Sequence, residues 1–180
     1  QDLTRAKENN PELDIENDLI KISEEFTSFQ KGLMTDYPDN LYIKMLIANQ
    51  DIEIPKSITD SKEQYLYYKE HYFDHINFKE DWLIRTSFFY PKILRYLNDL
   101  TFNSAERINE SLDIIIDLTD EKSEIFQFLV VNLLNKYADT NTYDTDIWKH
   151  LVERYYISGK ATWANEEQLQ KIIDSYNKKE

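Results

Sequence analysis

Apolar residues in this chain recur at alternating steps of three and four, the spacing of one face of an α-helix, and hardly anywhere in strict alternation. Ile15, Leu19, Ile22, Phe26, Phe29 and Leu33 form the first such stripe, which predicts a helix from about Leu13 to Met34. Its steps of four and three also fit a coiled-coil seam, but they cover only the minimum of about three heptads for that reading, and packing within the domain is the simpler expectation. The turn signal Tyr37, Pro38, Asp39, Asn40 precedes a short helix from Leu41 to Gln50, and the polar stretch from Asp51 to Thr59, which holds Pro55, reads as a loop. Asp60 with Glu63 makes a capping box for a helix through the following tyrosines that fades near Asp74 to Phe78. Trp82, Leu83 and Ile84 form an apolar knot, after which Ser87 is the expected cap of a helix with Pro91 in its first turn. Asn103 with Glu106 opens the helix of Ile108, Leu112 and Ile115, and Thr119 or Asp120 opens a strongly apolar one from about Glu121 to Tyr137. A helix with Ile147, Leu151, Val152 and Tyr155 stops at Gly159, which suits a left-handed C-terminal position. Asn165 with Gln168 caps the last helix, marked by Leu169, Ile172, Ile173 and Tyr176.

The pattern predicts an all-α fold of about eight helices in an irregular, antiparallel bundle, because the connections are short. Residues 13–180 read as a single helical domain and residues 1–12, polar and ending near Pro11, as a connection to something upstream. Composition reinforces helix. With two glycines and four prolines in 180 residues, the chain has few positions suited to the φ > 0 of tight hairpins.

Eleven aromatic residues fall between Tyr65 and Tyr96. Rings at this density are either buried or binding, since Tyr and Trp supply large burial areas and are favoured interface anchors. Tyr65, Tyr68 and Tyr72 follow the spacing of a buried stripe whereas Tyr67 faces elsewhere, so core packing is the main expectation and an interface or groove its alternative.

Charge and cysteine content narrow the chemistry. A net charge of −13, from 34 acidic and 21 basic residues, opposes nucleic acid and anionic lipid as partners. The absence of cysteine removes disulfide exchange, thiolate nucleophiles and sulfur-ligated metals. No segment reaches the ~20 apolar residues of a membrane span; the nearest, Ile125 to Leu134, reads as a buried core helix.

Each candidate site meets a plainer explanation. His71 and His75 stand four apart, a spacing at which two imidazoles on a helix can share a metal, yet Tyr72, Phe73 and Asp74 between them lack the glutamate of the zinc-protease motif. Partly buried histidines beside an aromatic cluster explain them as well. Asp139, Asn141, Asp144 and Asp146 fail a calcium loop, which needs an oxygen ligand at Tyr143, glycine at Asp144 and glutamate at His150. Gly159 and Lys160 lack the rest of a phosphate loop, and Asn109, Glu110, Ser111 is a mid-helix glycosylation acceptor read as incidental. No catalytic, cofactor-binding or metal-binding residue is assigned, and no cofactor is expected.

Two long motifs carry a family resemblance. The run YYKEHYFDHINFKEDWLIRTSFFYPKILRYL, Tyr67 to Leu97, resembles the signature of a helical domain of unknown function common in Bacteroidetes envelope proteins, where it precedes a thioredoxin-like module of the TlpA/ResA type. The stretch LNKYADTNTYDTDIWKHLVERYYISGKATWANEEQLQKI, Leu134 to Ile172, is similar to a second segment of that family, with its paired tyrosines, Ser-Gly-Lys step and following tryptophan. Leu41 to Pro55 fits more loosely.

The resemblance implies a periplasmic or cell-envelope parent concerned with thiol–disulfide chemistry, whose redox module is not in this chain. The expectation is then a non-catalytic accessory or interaction domain that contacts its own thioredoxin-like module, client proteins or a second copy, without inserting into a membrane. The residues singled out for a partner or a structural motif are Tyr67, Tyr68, Tyr72, Trp82, Arg85, Tyr155 and Trp163. Arg85 can offer its guanidinium fork to helix-end carbonyls or to a carboxylate. Two rivals stand beside this reading: a ligand-binding module with an aromatic-lined groove for glycan or peptide, and a metal-dependent enzyme built around His71 and His75.

Overall fold

The computed structural model describes residues 15–138 and 142–178, so the polar connection expected over residues 1–12 lies outside the described residues. The fold is all-α: among the described residues there are eight α-helices and no strand. The chain divides into two compact units, Gln1–Ala48 and Asn49–Glu180.

The first unit holds α1, Ile15–Asp36, and α2, Leu41–Ala48. The turn between them is built as its sequence suggests. The Tyr37 N–H closes on the Leu33 carbonyl at 2.9 Å, and the Asn40 side chain accepts from the Tyr42 N–H at 2.9 Å, capping α2. The α1 stripe departs from the expectation of internal packing. α1 and α2 pack against each other and Leu33 is half-buried, but Leu19 (50%), Ile22 (62%), Phe26 (58%) and Phe29 (63%) stand in solvent. The helix is one long amphipathic rod, and α2, at eight residues, is too short to cover it.

The second unit contains α3, Ser61–His71; a 3₁₀ turn, Asp81–Arg85; α4, Phe89–Asp99; α5, Ala105–Asp117; α6, Glu124–Lys136; α7, Thr142–Leu151, which runs on as a π turn, Val152–Ile157; and α8, Glu166–Lys178. The apolar segment Ile125 to Leu134 is the buried helix at its centre. Ile125, Leu129, Val130 and Leu133 are fully buried, among a core that includes Leu83, Ile93, Leu112, Ile115, Ile147 and Leu151. α5 packs on α7, and α6 on the 3₁₀ turn.

Helix starts follow capping chemistry, with three shifts in register. Asp60 caps α3 by accepting from the Lys62 and Glu63 N–H groups, both at 3.0 Å, and Asn165 and Gln168 exchange side-chain bonds at 2.9 and 3.1 Å as a reciprocal box at α8. α5, however, is capped by Ser104 rather than Asn103, with the Ser104 hydroxyl accepting from Arg107 N–H at 3.3 Å. α6 starts at Ser123 rather than Thr119 or Asp120, because residues 120–123 first close a turn in which Ser123 bonds back to the Asp120 carbonyl. α4 is preceded by Phe88 and not by Ser87, and no side chain caps it. There the register is set by burial of Phe89 and Ile93 instead, and Pro91 still falls in the first turn, where its missing N–H costs nothing. At the other end of α7, the Ser158 N–H reaches the Glu153 carbonyl five residues back, and Gly159 takes φ +80, a conformation that L side chains rarely adopt.

Candidate functional site

The aromatic run divides between core and surface. Tyr72 is buried, its ring set edge-on to Tyr68 at 5.6 Å and to Phe73 at 5.0 Å, and its hydroxyl donates to the Lys92 carbonyl at 3.2 Å. Phe78, Phe89 and Tyr96 are buried with it, so the stripe reading holds for Tyr72. Tyr65 is exposed and Tyr68 half-buried. Tyr65 uses its hydroxyl to hold the Leu100 carbonyl at 2.9 Å, and Tyr68 donates to the Asp51 carboxylate at 2.6 Å. That bond holds the Asp51 carboxyl below the usual range, while burial, followed by the same carboxylate, pushes the Tyr68 phenol up to about 12. Lys92 reaches the Gln50 carbonyl at 2.9 Å and lies over the Tyr72 ring at 5.4 Å; burial pushes its ammonium down. Tyr67, half-buried, rests on the His71 ring at 4.1 Å.

Where α3 ends, the metal geometry fails. The helix stops at His71, so His75 is not one turn further along it, and the His71 imidazole bonds the Asp74 carboxylate at 2.7 Å. Among the described residues no group of three or more His, Asp or Glu could hold a metal ion. Of the proposed calcium-loop residues, Asp139 and Asn141 lie outside the described residues, and Asp144 and Asp146 are on α7. The Asn109 acceptor is mid-helix on α5, with its Oδ1 buried and no hydrogen-bond partner among the described residues, and Ser111 is buried against Thr101 at 3.0 Å.

The segment around Trp82 and Arg85 is a junction. Arg85 does both things its fork allows: one nitrogen bonds the Asp81 carbonyl at 3.1 Å and the other the Glu124 carboxylate at 2.7 Å. Asp81 in turn accepts from the Ile125 N–H at 3.1 Å, placing a carboxylate at the N-terminus of α6 where the helix dipole favours it. The half-buried Trp82 donates its indole N–H to Glu80. Tyr155 is core, edge-on to Phe126 at 5.6 Å, and burial raises its phenol pKa. Trp163 sits edge-on to Phe126 and Tyr156. The seven singled-out residues thus sit in separate places: Tyr67, Tyr68 and Tyr72 on and just after α3, Trp82 and Arg85 in the 3₁₀ turn, and Tyr155 and Trp163 beside α6.

A hollow of the second unit lies elsewhere. It is a groove of about 780 Å³ with an apolar floor of Phe73, Ile76, Phe78 and Tyr96, walls of Leu66, Ile114 and Leu118, and a rim of Lys69, Glu70, Asp74 and Lys79. Its three aliphatic walls are 52, 57 and 44% exposed. None of them was singled out from the sequence, although one signal was present: Ile114, Ile115 and Ile116 are consecutive on α5, and three consecutive helical residues cannot all face one core. A second hollow of about 580 Å³ between α6 and α8 is lined by Trp148, Tyr156 and Trp163 with polar neighbours. Two of those neighbours are engaged in the first turns of α8, Gln168 in its cap and Lys171 with Glu167 at 2.7 Å.

The family model for a domain of unknown function, DUF5106, matches residues 8–177, and the chain belongs to that family. No curated protein and no solved structure shows a significant match.

Proposed function

We propose that this chain is a non-catalytic docking domain whose working surface is the groove walled by Leu66, Ile114 and Leu118. One observation carries the reading: three large aliphatic side chains, each about half exposed, converge on a hollow with an apolar floor and a rim of both charge signs. Converging exposed apolar side chains of this kind mark interaction sites, whereas scattered ones do not. An amphipathic helix fits such a groove, its apolar side on the floor and its charges against Lys69, Lys79, Glu70 and Asp74. The resemblance of the two long motifs to envelope proteins of the TlpA/ResA type suggests what brings that helix: the parent's thioredoxin-like module or one of its clients, in the periplasm or cell envelope. The chain itself, without cysteine, performs no thiol exchange.

A photo-crosslinking residue in place of Ile114 in the full-length parent tests this. Capture of the thioredoxin-like module or of a client, lost on Leu118→Asp, is the expected result. The absence of any crosslink, or catalysis of insulin reduction by the isolated chain, overturns the reading.

A further inference from the structure

α8 packs on the π turn, and the hollow of about 580 Å³ between it and α6 is within the size range of small-molecule sites. Its lining differs in kind from the rest of the chain. Of 180 residues 34 are acidic, yet no carboxylate lines this hollow, and its one cation, Lys171, is paired with Glu167 at 2.7 Å. The remaining polar groups are mostly side-chain amides. Gln127 and Asn135 lie on one face of α6 with Val131 between them, both exposed, and neither side chain has a hydrogen-bond partner among the described residues. At the rise of an α-helix, eight residues set them about 12 Å apart, the length of a disaccharide. Across the hollow, Gln168 spends its carbonyl oxygen on the Asn165 N–H, which leaves its amide N–H groups as donors.

Trp163 adds a platform. It is half-buried, and its ring is fixed edge-on to Phe126 at 5.6 Å and to the buried Tyr156 at 6.3 Å. A ring already held by packing loses little freedom when a ligand stacks on the part that stays exposed.

We propose that this hollow binds a neutral saccharide of one or two rings. A pyranose presents an apolar C–H face, which an indole covers, and a rim of hydroxyls that each donate and accept. A side-chain amide, with two N–H donors and a carbonyl acceptor, answers both. Charged ligands fit poorly: the lining holds no guanidinium fork for a carboxylate or phosphate and no carboxylate for an ammonium. An extended peptide also fits poorly, because it pairs with free backbone groups of a sheet edge, and both long walls are helices whose backbone is bonded internally. The site is separate from the groove at Ile114, so the two readings stand or fall independently.

Maltose, cellobiose, mannobiose and N,N′-diacetylchitobiose test this, each titrated into the whole chain to about 20 mM, past the millimolar Kd suited to so few polar contacts. At least one is expected to give saturable backbone amide shifts at Gln127, Val131, Asn135 and Trp163. Gln127→Ala with Asn135→Ala, at two exposed positions, is expected to keep the helical circular dichroism and to weaken that binding about tenfold. Trp163→Phe is expected to retain binding that Trp163→Ala loses. Absence of saturable shifts with all four sugars overturns the proposal, as does an affinity that the double substitution leaves unchanged.

Discussion

At the residue scale the most telling group is one that lacks what its surroundings should provide. Asn109 has its Oδ1 buried on α5 with no hydrogen-bond partner among the described residues, and an unsatisfied buried acceptor costs on the order of 1–3 kcal/mol. Removing the amide removes that penalty. Asn109→Leu is therefore expected to leave stability unchanged or raise it by roughly 1 kcal/mol, which thermal unfolding reads directly. The neighbouring pair behaves oppositely. Ser111 is buried with its hydroxyl 3.0 Å from that of Thr101, which also bonds the Tyr96 carbonyl at 3.1 Å. Ser111→Ala strands part of a satisfied network and is expected to lower stability by about 1 kcal/mol. Two small polar residues of one helix, two positions apart, thus carry opposite expectations that no propensity scale separates.

At the element scale the Asp81–Arg85 turn joins the aromatic segment to the central helix. Two side chains do this with unequal weight. Asp81 accepts from the Ile125 N–H in the first turn of α6, beside the Ser123 cap, and loss of a side-chain acceptor for such a helix-end donor costs about 0.5–2 kcal/mol. Arg85 and Glu124 are both more than half exposed, and such pairs contribute about 0–1 kcal/mol. Asp81→Ala is expected to lower the melting temperature clearly and Arg85→Ala little, the reverse of what the more conspicuous ion pair suggests; equal effects in the two variants would reject the capping role. The same turn marks what was legible beforehand. The caps at Asp60 and Asn165, the left-handed Gly159 and the buried run from Ile125 to Leu134 follow from local chemistry, and they were readable. Ser104 and Ser123 were displaced by one and by three or four residues because several capping residues stand together there, and the register is chosen by which apolar face must turn inward. The groove was not legible because Leu66 lies far along the chain from Ile114 and Leu118, and periodicity carries no information on which elements meet. The α1 stripe was legible as a stripe, and its spacing already resembled a seam; what the sequence could not say was that its side chains stand in solvent.

At the scale of the whole molecule the tyrosines make alkaline pH the stringent test of the core. Burial raises the phenol pKa of Tyr72, Tyr90, Tyr96, Tyr155 and Tyr156, and raises that of Tyr68 to about 12 with help from the Asp51 carboxylate. In the unfolded chain each ionises near the ordinary value of 10.0. Below that pH both states hold the proton and these groups confer no pH dependence. Above it the unfolded state sheds protons that the folded state retains, so stability falls steadily as pH rises toward 12. With six phenols acting together in the same direction, the chain is expected to unfold cooperatively between about pH 10 and 12, read as loss of helical circular dichroism. Asp51 works at the other end. Its lowered pKa gives stability that is present above 3.8 and is lost as pH falls through the lower folded value. Tyr68→Phe removes the hydrogen bond that depresses it, so that variant should lose the acid-side contribution of Asp51 and Tyr68's own share of the alkaline proton release. Helical circular dichroism that persists unchanged through this range would mean that burial does not hold these phenols protonated, and would return the aromatic run to the role of a binding surface.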